Sequence, residues 1–250
     1  MELPRAEADY LRAVVAALRA VFGADLVGVY PTGSVALDGY RPGRSDLDLI
    51  AVADAPSADR LHATAGALAH GALPCPATGL ELVLYDRAAL PGAGTTAGYA
   101  LNLNTGRELP SRAETGPGGG PTFWYAIDRD IAHQQRRVLA GPPLHDLADR
   151  LPHAVLLPVV VESVEAHRGS LTEHGDNAVL NACRAWHFHA EGTWVAKPAA
   201  AAWARRAAPA FERLIGTALD SHRRDRAAGQ HVATGDAGAF LGYVLTRLGR

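Results

Sequence analysis

Between Ala6 and Phe22, apolar residues fall at Leu11, Val14, Val15, Leu18 and Val21. That three- and four-residue spacing predicts a helix buried on one face, and Gly23 suits its stop. Leu26 to Tyr30 (LVGVY) predicts a short buried strand, and Pro31 to Ser34 a tight turn. Asp46 to Ala53 (DLDLIAVA) alternates and then becomes wholly apolar. Such a strand has a far end buried on both faces and a near end that opens onto a cleft. Asp59 to His70 reads as helix, and Leu80 to Tyr85 (LELVLY) as a third strand. Helix, strand, strand, helix, strand makes an α/β unit.

From Leu90 to Thr122 glycine and proline are dense, with GPGGGP at 116–121, which predicts a loop-rich stretch. Helix resumes near Ala126 and ends before Gly141-Pro142-Pro143. Only helical patterns follow, near 152–167, 177–191, 198–206, 209–224 and 236–248. The expected architecture is therefore an α/β N-terminal domain with a mixed sheet, residues 1–150, and an all-α C-terminal bundle, residues 151–250.

Composition narrows the function classes. The chain has 250 residues, 48% of them hydrophobic, enough for packed cores. A net charge of −2 gives no general attraction to polyphosphate, so a small acceptor is favoured over a nucleic acid. Cys75 and Cys183 fit no metal-ligand spacing and read as buried thiols. The start, MELPRAEADY, lacks the apolar stretch of a signal peptide. The longest apolar run, Ala154 to Val161, is too short to span a bilayer and contains Pro158. A cytoplasmic monomer is the expectation.

The chemistry is concentrated in Gly33-Ser34, followed after eleven residues by Asp46-Leu47-Asp48, and later by Glu81. Asp46 and Asp48 are two apart on a strand and share a face. Two like charges side by side are unfavourable unless a cation lies between them, and such oxygen ligands suit Mg²⁺. Glu81 projects opposite to Leu80 and Leu82. On a neighbouring strand it would be either a third carboxylate of a two-metal site or a general base. Gly33 lets backbone N–H groups approach phosphates, and the Ser34 hydroxyl adds a hydrogen bond. Singly, each feature has a plain reading: a turn, an exposed strand edge, a solvated glutamate.

In this order, G-S-x11-D-x-D plus a distant strand acid resembles the DNA polymerase β-type nucleotidyltransferase superfamily. Within it, GSVALDGYRPGRSDLDLIAV, with Ser45 before the first Asp, is similar to the streptomycin/spectinomycin 3''(9)-adenylyltransferase family. NAVLNACRAW (177–186) and VAKPAAAAWA (195–204) resemble family segments in content and order. The resemblance implies Mg²⁺, as two ions, at Asp46 and Asp48 with Glu81 as third acid and base, and ATP as donor. It implies phosphate contacts from Ser34 and Ser45, and from Arg184 and Lys197 of the helical domain, with the site between two domains. His222 stands nearest the position of a nucleotide-contacting tyrosine of the family. The acceptor would be a cationic, hydroxyl-rich aminoglycoside, for which carboxylates and an aromatic face are suited. Candidates are Glu173 and Asp176, in the turn before the Asn177 helix, and Trp124. The plain alternatives are an N-cap for Asp176, a core position for Trp124 and surface cations for Arg184 and Lys197. Two other functions share the pattern: transfer to another acceptor such as tRNA or protein, and a non-catalytic nucleotide-binding regulator.

Overall fold

The computed structural model describes residues 3–117, 121–224 and 232–250, and of Glu173 only the backbone. The chain divides into two compact units, Met1–Leu151 and Pro152–Arg250.

The first unit is built on helix α1 (Arg5–Phe22), strand β1 (Leu26–Pro31), a single helical turn α2 (Gly33–Ala36), β2 (Leu47–Ala53), α3 (Ala58–Leu68) and β3 (Leu80–Asp86). It is completed by β4 (Leu101–Thr105), β5 (Arg112–Thr115) and α4 (Phe123–Gln135). The strands form one mixed sheet in the order β1-β2-β3-β4-β5, with only the β2–β3 pair parallel. Alternation decides what each face carries. Leu47, Leu49, Ala51, Leu80, Leu82 and Leu84 point to one side, where they pack with Leu11, Val14 and Leu18 of α1 and Leu61 and Leu68 of α3. Each such aliphatic side chain contributes about 1.5–3 kcal/mol by leaving water. The opposite face carries Tyr30, Ile50, Val52 and Tyr85, which pack with Leu90, Tyr99, Ala132 and Leu144. The stretch 139–140 hydrogen-bonds to Val29 and covers part of the outer edge of β1.

Two expectations change here. The stretch 90–122 is not only loop, since β4 and β5 lie in it and finish the sheet. Pro31 to Ser34 does not end as a plain turn, because Gly33 opens α2.

The second unit is helical: α5 (His153–His167), α6 (Leu171–Glu191), α7 (Lys197–Ala207), α8 (Glu212–His222) and α9 (Thr234–Arg247). Helix α6 packs against each of the other four. Its buried residues Ala178, Val179, Leu180, Ala182, Cys183, Ala185 and Trp186 run nearly all round, as a central helix requires. It is longer than the pattern predicts, because it starts at Leu171 and crosses a kink at His174 (φ −134°, ψ 35°). Among the described residues no helix is long and apolar enough to cross a membrane.

Candidate active site

Register brings the acids together in the first unit. Asp48 of β2 stands directly beside Glu81 of β3, and Glu81 beside Asn104 of β4, which in turn faces Arg112 of β5. At the other end of this row the Thr32 N–H donates to the Asp48 carbonyl, 2.9 Å. Residues paired across strands share a face, so the Asp48 and Glu81 side chains emerge together about 5 Å apart at the backbone. Both are half-buried. They lie on the α4 side of the sheet, opposite the leucines of the same strands.

Asp46 precedes β2, and its carboxylate accepts a hydrogen bond from the Thr78 hydroxyl. Among the described residues no group of three or more His, Cys, Asp or Glu side chains is gathered as a metal cage. The row brings Asp48 and Glu81 side by side and leaves Asp46 bonded to Thr78. The Asp48–Glu81 pair still fits a hard cation, because two adjoining half-buried carboxylates repel unless positive charge lies between them.

The turn after β1 is shaped around Asp48. Gly33 has φ +52°, and a Cβ there would lie 1.9 Å from Asp48 Oδ2, so only glycine allows this approach. Next to it, the Ser34 Oγ is buried with no hydrogen-bond partner among the described residues. A buried hydroxyl without a partner is costly, and an anionic oxygen at the turn would satisfy it. Ser45 instead has a local task, its hydroxyl accepting from the Arg41 N–H, 3.1 Å.

Helix α4 forms the wall beside the acid row. Asn102 of β4 donates to the Tyr125 hydroxyl, 3.1 Å, and the Thr32 hydroxyl donates to Asp128, 3.1 Å to Oδ1. The helix thus crosses the sheet from β4 to β1. Arg129 fixes the neighbouring loop, donating to the Tyr85 hydroxyl (2.7 Å) and to the carbonyls of Gly94, Thr96 and Ala97. Burial pushes the Tyr85 hydroxyl up to about 12, and Arg129 acts against that rise. Trp124, in the first turn of α4, is 46% exposed, so the core reading of this residue is wrong. Asn104, Asp128 and Arg129 escaped sequence reasoning. The alternation in LNLNT could have found Asn104, whereas nothing local ties Asp128 to Thr32, 96 residues away.

The second unit gathers cations. Lys197, the first residue of α7, donates to Asn177 Oδ1, 2.6 Å. Arg184 lies over the Trp194 ring, 5.7 Å from its centroid. Asn177, Asn181 and Arg184 follow one another at i, i+4 and i+7 along one face of α6. Close by, His167 is buried, with Nδ1 against the Ser163 carbonyl and Nε2 2.9 Å from Asn181 Nδ2. Burial holds its pKa below the ordinary value, and Lys197 and Arg184 lower it further. A neutral imidazole beside two cations leaves the surroundings positive, as a phosphate requires.

Asp176 is not in a turn before a helix but inside α6, just past the kink. Its Oδ1 accepts from the next residue's N–H and its Oδ2 from the Ser221 hydroxyl of α8, 2.7 Å. It therefore ties α6 to α8 rather than capping a helix two or three residues ahead. His222 follows Ser221 and is buried. The side chain of Glu173 lies outside the described residues.

Sequence comparison with curated proteins yields no significant match. Among solved structures, the chain is similar to the spectinomycin adenyltransferase AAD(9) from Enterococcus faecialis, solved with ATP and spectinomycin. The TM-score is 0.70 at 16% identity, over 97% of this chain and 99% of that one, a likeness of fold. Residues 146–247 match the model of the aminoglycoside adenylyltransferase C-terminal domain. The C-terminal part of the chain is therefore similar to the aminoglycoside adenylyltransferase C-terminal domain, and the α/β unit that carries the acid row precedes it, as in the fold of the adenyltransferase structure.

Proposed function

We propose that the chain transfers the adenylyl group of ATP to a hydroxyl of a cationic aminoglycoside or aminocyclitol, of the streptomycin or spectinomycin type, and so confers resistance. The observation that carries this reading is the Asp48–Glu81 pair, set side by side next to the Gly33-Ser34 turn. The structure similar to this one was solved with ATP and spectinomycin, which supports the donor and the acceptor class.

Asp46, Asp48 and Glu81 would hold Mg²⁺, which when bound neutralises charge developing on the phosphates. Asp46 joins by exchanging its Thr78 hydrogen bond for the cation. Ser34 and Ser45 donate to phosphate oxygens, and Gly33 keeps the turn close to Asp48. Arg184 and Lys197 offset the triphosphate charge, and His222 contacts the nucleotide. Glu81 accepts the proton of the acceptor hydroxyl. The oxygen then forms a bond to the α-phosphorus, the bond from that phosphorus to the bridging oxygen breaks, and pyrophosphate leaves with the electron pair. Trp124 offers a face to the sugar rings, and Glu173 and Asp176 offer charge to the acceptor's cationic groups.

The test is incubation with ATP, Mg²⁺ and a panel of aminoglycosides, with mass spectrometry for an acceptor heavier by one AMP. Asp46→Ala and Asp48→Ala are expected to abolish the shift, and full activity in both would refute the metal assignment. Labelling of tRNA or of a protein band, with no small molecule modified, would move the acceptor to a macromolecule.

A further inference from the structure

Two histidines of the second unit take no part in the proposed reaction. His153 is the first residue of α5, and His189 lies in the last turn of α6. They end a row of rings: Trp194 stacks on Phe188 (centroids 4.2 Å), Phe188 on His153 (5.2 Å), and His153 lies beside His189 (5.6 Å, planes 32° apart). Burial accounts for Phe188 and Trp194, which are core residues. It does not account for the imidazoles. His153 Nε2 and His189 Nδ1 are both shielded from solvent and have no hydrogen-bond partner among the described residues. A buried nitrogen left unsatisfied is unfavourable, and here two of them sit on adjacent rings.

We propose that His153 and His189 bind a first-row transition-metal ion, zinc first of all, which joins the start of α5 to the end of α6. The ring separation fits. With N–metal bonds of about 2.0–2.1 Å, two imidazoles on one ion have their centres about 5–6 Å apart. Each ring keeps its proton on the nitrogen that water reaches and offers the shielded lone pair to the ion. Imidazole nitrogen suits zinc, copper and nickel, whereas magnesium takes oxygen ligands. The ion also lies at the C-terminal end of α6, where the helix dipole favours positive charge. Among the described residues no third His, Cys, Asp or Glu joins the pair. Water therefore completes the coordination, and the ion exchanges more readily than in a closed four-ligand zinc site. Both ligands belong to the second unit, so the site stands whether or not the chain transfers an adenylyl group.

The test is calorimetric titration of the full chain with zinc in excess Mg²⁺, beside urea unfolding followed by tryptophan fluorescence with and without zinc. The unaltered protein should bind zinc and unfold at a higher urea midpoint when it is present. His153→Gln and His189→Gln should each weaken that binding by more than about tenfold, since losing one of two ligands costs more than losing a supporting partner. Both should also abolish the rise in midpoint. Zinc held by the acid row instead would bind both variants as tightly as the unaltered protein, which would overturn the proposal. Should either variant fail to fold, anomalous scattering from a zinc-soaked crystal of the unaltered protein decides the matter. A peak about 2.0–2.1 Å from both His153 Nε2 and His189 Nδ1 is expected. No zinc, or zinc only at other positions, would refute the site.

Discussion

Two glycines show how much a single Cβ can decide in this chain. At Gly33 an added methyl would fall 1.9 Å from Asp48 Oδ2, in a backbone conformation (φ +52°) that costs an L-residue about 1–2 kcal/mol. The carboxylate would have to swing away from the Glu81 side of the row. Gly33→Ala is expected to cut turnover at least a hundredfold and weaken Mg²⁺–ATP binding, with the far-ultraviolet spectrum preserved. Gly66, inside α3, meets nothing within 4 Å. Gly66→Ala should raise the unfolding free energy by about 0.5–1 kcal/mol in urea titration and leave turnover alone, since helix propensity alone changes there. Glu81→Gln separates charge from shape at the row itself. The amide fits the same space but cannot take a proton, so kcat should fall about 10²–10⁴-fold while the unfolding midpoint holds. A Glu81→Gln enzyme with near-normal kcat would remove Glu81 from the role of base.

Among the elements, α4 carries the most consequence for its length. Its Arg129 binds Tyr85 and three carbonyls of the loop 94–97, with its guanidinium 5.1 Å from the Tyr85 ring centroid. Arg129→Ala leaves a buried phenol hydroxyl and several carbonyls unsatisfied. Denaturant unfolding should show a loss of about 3 kcal/mol, and Arg129→Lys should recover only a minority, because an ammonium cannot reach partners spread over a planar fork. None of this was readable along the chain. The periodicities of α1, β2 and β3 announced themselves, because α1 buries one face and the two strands bury both against continuous cores, and the residue pattern records it. Strands β4 and β5 did not stand out. LNLNT is five residues beside a glycine, and RAET is mostly exposed, so neither leaves a strong hydrophobic trace. The kink at His174 likewise hid the first turn of α6. Within the site, Gly33, Ser34, Asp48 and Glu81 were legible because local spacing places them. The Thr32–Asp128 link, and the use of Asp176 to hold Ser221, were not, because they join helices and strands far apart in sequence.

Across the whole molecule, acid should act on each unit through one histidine, half-buried in the first unit and buried in the second. His133 in the first unit and His167 in the second are both held below the ordinary histidine pKa, in each case first by burial. A lowered native pKa means that the unfolded chain binds more protons between that value and about 6.5. Stability therefore rises with pH across this window, is flat above it, and is lost as pH falls from 6.5 towards the native pKa. For His167 the contacts explain the resistance to protonation: with Nδ1–H donating to the Ser163 carbonyl, Nε2 is left to accept from Asn181, and a second N–H would face that amide's own donors. The carboxylates Asp38 and Glu114, whose pKa values are lowered chiefly by hydrogen bonds, act in a separate, lower window near pH 4 and are too exposed to contribute much. Tryptophan fluorescence weights the second unit, because Trp186, Trp194 and Trp203 belong to it and only Trp124, 46% exposed already, reports the first. The urea midpoint followed by fluorescence should fall between pH 6.5 and 5 in the unaltered protein, and His167→Gln should flatten that fall. His133→Gln should leave the fluorescence-detected slope intact and alter the pH dependence only where far-ultraviolet dichroism also reports the first unit. An undiminished slope in His167→Gln would mean that the imidazole already carries its proton in the folded chain, and the positive surroundings assigned to Lys197 and Arg184 would have to be redrawn around a third cation.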